Sequence, residues 1–163
     1  MKRRSLFALL LLALAGLLPL PAFAGGKADN KVVVSFHIET DANENPKMIF
    51  TLPAAGQVRY FRRLPEIGTK DLKTFRPFQA DDGVSYGVVF QLKPSAAQRI
   101  FAVSSANPDR WLAAMVSGRA IDAVLIEKPV ADGQLVIWKG MTALEIQQLD
   151  KMIPRTGETK KRG

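Results

Sequence analysis

The sequence contains no cysteine and only one histidine in 163 residues. The first absence excludes disulfide stapling, thiol catalysis, thiolate metal sites and a lipid anchor attached through cysteine. The second leaves any acid–base relay or metal centre with a lone imidazole. Two tryptophans, Trp111 and Trp138, stand isolated in strand-like segments, which fits core or sheet-edge positions better than a glycan-stacking platform. No G-x-S-x-G elbow accompanies Ser104 and Ser105, which argues against a serine hydrolase. Neither G-x-G-x-x-G nor G-x-x-x-x-G-K-S/T occurs, so no standard nucleotide site is signalled. Beyond residue 24 no apolar run reaches the roughly 20 residues that a membrane-spanning helix needs.

The opening residues have the pattern of an export signal. Lys2, Arg3 and Arg4 precede an apolar run from Leu6 to Leu18, followed by Pro19, Pro21 and Ala22-Phe23-Ala24. Small residues three and one positions before a cut predict cleavage after Ala24. The expected organisation is a signal peptide over 1–24, a flexible leader over 25–30, a single α+β domain over 31–153 and a basic tail over 154–163. The expected compartment is periplasmic or secreted.

The formal charge is +8. Three basic residues lie in the signal and a further excess lies in the tail, so the body is nearly neutral, and no nucleic-acid partner is implied. One internal basic cluster is present, formed by Arg59, Arg62, Arg63, Lys70, Lys73 and Arg76. It is the candidate binding patch, for anionic lipid, polymer or an acidic partner, and for weak contact with a membrane surface; a solvated strand and loop is the plainer reading.

Val32, Val34, Phe36 and Ile38 alternate with Val33, Ser35, His37 and Glu39, which predicts a half-buried strand. Asp41 to Pro46 predicts a turn. Its oxygen ligands have the early spacing of a calcium loop, but Pro46 and Leu52 stand where glycine and glutamate belong. Lys47–Leu52 is expected to return as the hairpin partner of the first strand, and Gln57–Arg63 to form another strand. Residues 64–82 read as an irregular connection with at most one short strand. His37 and Glu39, two apart on a strand, share a face and lack a third ligand.

Further along, Tyr86, Val88, Phe90 and Leu92 alternate, and Pro94 opens a helix with Ala97, Ile100, Phe101 and Ser104 on one face. Strands are expected at 111–116, 119–126 and 134–138, with Ser117-Gly118 as a tight turn. Thr142 and Glu145 fit a capping box, with Met141 and Ile146 as its hydrophobic staple. The order strand, helix, three strands, helix predicts an α+β fold. It would be a largely antiparallel sheet with two helices packed on one face, ferredoxin-like or a related two-layer sandwich.

From Tyr86 to about Ile153 the chain resembles the head of the periplasmic domain of SecD-type protein-export subunits. The residues that carry the likeness are Tyr86-Gly87-Val88-Val89-Phe90-Gln91-Leu92, Trp111-Leu112-Ala113, Gly118-Arg119-Ala120-Ile121, Ile126 to Gln134, and Lys139-Gly140-Met141-Thr142 with Glu145 and Leu149. In the hairpin's return strand Ala123-Val124 stands where that family commonly has a small residue and proline. The resemblance implies a head-like module that touches polypeptides and has no motor. The expected function is a non-catalytic exported envelope module binding a protein or peptide partner, as an accessory to export, without cofactor or metal. The alternatives are a binder of anionic lipid or polymer through the basic patch, and a hydrolase of unknown substrate. The sequence sets no oligomeric state.

Overall fold

The computed structural model describes residues 31–158. The signal, the leader and the last five residues of the tail lie outside that range. Among the described residues no helix is long and apolar enough to cross a membrane.

The first sheet is built on β1 (Val34–Thr40), whose alternate residues Val34, Phe36 and Ile38 are buried as the period of two requires. β2 (Ile49–Ala54) does not pair with β1. It pairs with β3 (Gln57–Arg62), which in turn lies against the end of β1. The reason is the turn at Ala55-Gly56, where both residues have positive φ (49° and 73°), the pattern of a two-residue hairpin turn. On the far side β1 pairs with β7 (Trp111–Val116), and β7 with β8 (Arg119–Leu125) through the Ser117-Gly118 turn.

Residues 64–82 are more regular than expected. They hold the short β4 (Ile67–Gly68), paired with β1, and β5 (Leu72–Gln79), a strand of eight residues. A register shift between Leu72 and Thr74 puts the buried Leu72 and Phe75 three apart, which hides the strand period, and Pro77 is tolerated because β5 is an edge. β5, β6 (Tyr86–Leu92) and β9 (Gln134–Met141) form a second antiparallel sheet in that order.

The expected α+β class holds, but the strands are divided between two sheets. The sheets share one core, in which the Phe36 and Phe90 rings meet edge to face at 6.1 Å. Helix α1 (Pro94–Ala106) adds Ala96, Ile100 and Ser104 to it, and Ala97 packs against it; of the expected stripe only Phe101 departs, being half exposed. Ser104 is satisfied there: its hydroxyl donates to the Ile100 carbonyl and accepts from the Val130 N–H. Helix α2 (Ala143–Met152) starts with the capping box: the Glu145 N–H donates to Thr142 Oγ1 at 3.2 Å and the Thr142 N–H to Glu145 Oε2 at 2.8 Å. Met141 and Ile146 of the expected staple are both in the core.

Gly87 is where the second sheet is tightest. A Cβ there would stand 2.2 Å from the Phe78 ring and 2.6 Å from the Trp138 carbonyl oxygen. Gly87→Ala is therefore expected to destabilise the fold by about 1–3 kcal/mol, read as a lower midpoint in urea at unchanged slope. Wild-type stability in this variant would contradict the packing described.

Candidate functional site

Two regions combine chemistry with access. The first lies on the outer side of β1, under the β2–β3 hairpin. His37 is 4% exposed, so it is a buried group and not part of an exposed polar face. Its Nδ1 lies 2.7 Å from the Arg62 carbonyl oxygen and its Nε2 2.8 Å from Ser35 Oγ. A carbonyl only accepts, so Nδ1 carries the proton and Ser35 donates to Nε2. Phe50 packs edge-on against the imidazole at 5.2 Å. Burial depresses the His37 pKa, partly offset by the Arg62 carbonyl, which keeps the ring neutral near pH 7.

Glu39 does not join His37. Its Oε1 accepts from Arg59 at 2.8 Å and its Oε2 from the Trp111 N–H at 2.8 Å. Arg59 also stacks over the Trp111 ring, 4.8 Å from its centroid. Ser35, two residues before His37 on the same strand face, is its partner instead, and the two-residue spacing is the signal for it.

The residues of the basic cluster are spread over two sheets. Arg59 is committed to Glu39 and Trp111, and Arg62 pairs with Glu44 at 3.1 Å. Arg63 is exposed just after β3 beside the His37 region. Lys73 and Arg76 are exposed on β5, and exposed Lys70 precedes that strand. Asp41, Asn43 and Asn45 form the expected turn, in which Asn45 Oδ1 accepts from the Lys47 N–H. No group of three or more metal-binding side chains occurs among the described residues.

The second region is a cleft of about 520 Å³ where the edge of the first sheet, β8, meets the edge of the second, β9. Leu112, Val124 and Leu135 contribute to its apolar lining, and Leu125 and Trp138 are 39% and 58% exposed on its walls. The strands close on each other at one end. Asp122 of β8 accepts from the Ala123 N–H through Oδ1 (3.0 Å) and from the Trp138 N–H of β9 through Oδ2 (2.6 Å). Beside it, Gly140 lies so near Ile121 that a Cβ would stand 3.1 Å from that side chain. Burial raises the Asp122 pKa against the pull of these N–H donors and of Lys139. Beyond Asp122 the cleft lies between residues of the two strands, and the loop 127–132 borders it. The legible signals were an aspartate inside the apolar run Ala120–Leu125 and a glycine inside a strand, the mark of close backbone approach.

With this geometry the fold is similar to that of part of SecDF. The chain is similar to the solved structure of a membrane component SecDF that enhances protein export, with a TM-score of 0.51 and 20% identity over 73% of this chain and 60% of that one. It is similar also to SecDF in a super-membrane-facing form, with a TM-score of 0.50 and 20% identity over 71% of this chain and 17% of that one. The chain thus spans less than two thirds of the first protein's length and about a sixth of the second's. The aligned share exceeds residues 86–153, so the likeness of fold reaches into the first half. No protein-family model and no curated protein matches the chain.

Two outcomes follow from these sites. Asp122→Ala removes the two hydrogen bonds that the carboxylate accepts from the Ala123 and Trp138 N–H groups and is expected to cost about 1–3 kcal/mol, with an increase in Trp138 mobility by fluorescence anisotropy. For His37 the folded pKa lies below the unfolded value, so its contribution is fully present above about pH 6.5 and is lost as pH falls through the folded pKa. Urea midpoints should drop from pH 7 to 5 in the wild type and drop less in His37→Gln. The depressed carboxylates Glu44, Asp71 and Asp82 add their loss only at lower pH.

Proposed function

We propose that this chain is a non-catalytic module of the cell envelope that binds a polypeptide partner in a role related to protein export. The observation that carries the reading is the cleft between β8 and β9, an apolar opening flanked by two strand edges on a SecD-like fold. Strand edges bind polypeptides because main-chain hydrogen bonds supply affinity and neighbouring pockets select side chains. The polar groups that might have served catalysis are engaged in structure: Glu39 holds Arg59 and the Trp111 N–H, and His37 is fixed between Ser35 and the Arg62 carbonyl. Binding through a basic patch has less support, since two of its six residues are already ion-paired. An exported location fits the signal read in residues 1–24.

A reduced, carboxymethylated and hence permanently unfolded protein, labelled with a fluorophore, tests the reading by anisotropy titration. Saturable binding is expected, and it should persist at about 1 M salt, where the Debye length is about 3 Å. No binding at any salt would refute the proposal, and binding abolished by salt would favour the anionic-surface alternative.

A further inference from the structure

The edges of the two sheets are not treated alike. The outer edge of β5 is covered by the segment after α2: the Phe75 N–H donates to the Pro154 carbonyl at 3.2 Å and the Thr156 N–H to the Phe75 carbonyl at 2.8 Å. The outer strand of the first sheet, β2, carries Pro53, which offers no N–H. β8 and β9 have neither device, and they face each other.

Backbone direction along these strands can be worked out from the bonds at their ends. The N–H and C=O of one residue point to the same side of a strand, and the next residue points to the other. On β9, the carbonyl of the preceding Gly133 accepts from the Leu92 N–H of β6. Residues 135 and 137 therefore also turn to β6, and the N–H groups of 134, 136 and 138 turn away, toward β8; at the register shift that follows, the Trp138 carbonyl lies against Gly87 of β6. Two of those three are capped: the Gln134 N–H by Asp132 Oδ1 at 3.0 Å and the Trp138 N–H by Asp122 Oδ2. Val136, between them, has no such cap. On β8, Ile126 exchanges bonds with the β7 side, its N–H going to the Arg110 carbonyl and its carbonyl accepting from the Asp109 N–H. Residues 123 and 125 consequently turn outward. The Ala123 N–H is capped by Asp122 Oδ1, and that of Leu125 is not.

The result is a short window with an unpaired donor and acceptor on each wall, at Leu125 and Val136. Asp122 bounds it at one end and Asp132 at the other, and its floor is apolar. The window corresponds to about four residues of extended chain, or ~13 Å. Only another extended main chain meets donors and acceptors with that repeat. The charges at the mouth, Glu127 and Asp132 against Lys128, have both signs, which is complementary to a segment without charge of its own.

We propose that the window takes a short, uncharged, extended polypeptide segment as an added strand. Its main chain bonds to Leu125 and Val136, and alternate apolar side chains rest on Leu112, Val124 and Leu135. With the segment seated, the edges of the two sheets are joined through it. This rests on the reading of the protein as a polypeptide binder and adds where and how the polypeptide is held.

The test uses the purified protein and a fluorescently labelled, acetylated and amidated hexapeptide of alternating valine and threonine. The comparator is the same peptide N-methylated at alternate residues, which keeps the side chains and removes ladder donors. Expected results are saturable binding of the first peptide, shifts of the Leu125 and Val136 amide resonances, and about tenfold weaker binding of the methylated peptide. Val136→Pro, which removes the N–H that faces the window and no N–H of the β6 ladder, should weaken binding similarly. Should that variant fail to fold by circular dichroism, the methylated peptide decides alone. Equal binding of both peptides, or shifts confined to other amides, would overturn the added strand. So would a dimer that shifts the same two amides without peptide. An unfolded protein that binds while leaving Leu125 and Val136 unperturbed overturns the window but keeps the polypeptide reading; if neither probe binds, both fall.

Discussion

Asp122 accepts one N–H from each of the two sheets, and much of the molecule is arranged around that carboxylate. Through Oδ1 it holds its own strand at Ala123, and through Oδ2 it holds Trp138 across the junction. Its burial opposes ionisation, a cost that the N–H donors offset only in part. Gly140 permits the approach, because any Cβ there would press on Ile121. The Gly140 N–H is taken by Ser85 Oγ at 2.8 Å, and Arg119 at the start of β8 pairs with Glu145 in the first turn of α2. The β8–β9 junction is thus anchored at one end to the β5–β6 loop and to a helix terminus. At the other end lies the cleft.

The same economy governs the remaining buried polar groups. His37 reaches across from β1 to the carbonyl at the end of β3, and Glu39 links β1 to both β3 and β7. These contacts fasten the β2–β3 hairpin where its ladder with β1 covers only Glu39–Phe61 and Thr40–Tyr60. A lone histidine and a nearby acid on one strand face invite a catalytic reading. Here each serves to tie a short ladder down.

Where local pattern and final environment agreed, residues announced their structure. Thr142 and Glu145 specify a cap whatever surrounds them, and Trp111–Val116 with Ser117-Gly118 encodes a hairpin through its turn alone. The reading failed where long-range partners decide. β5 was obscured because its bulge shifts Phe75 out of the two-residue period set by Leu72. The pairing of β2 with β3 has only a weak local signal, because Ala55 is not a usual residue for positive φ. Division into two sheets is a property of strand pairing, which alternation within one strand does not encode. Of the cleft, Trp138 and the Ile126–Gln134 segment were visible as motifs. The role of Asp122 was not, since it depends on β9 lying opposite.

The central claim is that two strand edges stand side by side with main-chain groups left unpaired between them. Amide hydrogen exchange in the free protein tests it most directly. The account predicts rapid exchange at Leu125 and Val136, together with slow exchange at their neighbours Ile126, Leu135 and Ile137, whose N–H groups point into the sheets. Protection at Leu125 and Val136 equal to that of those neighbours would contradict it.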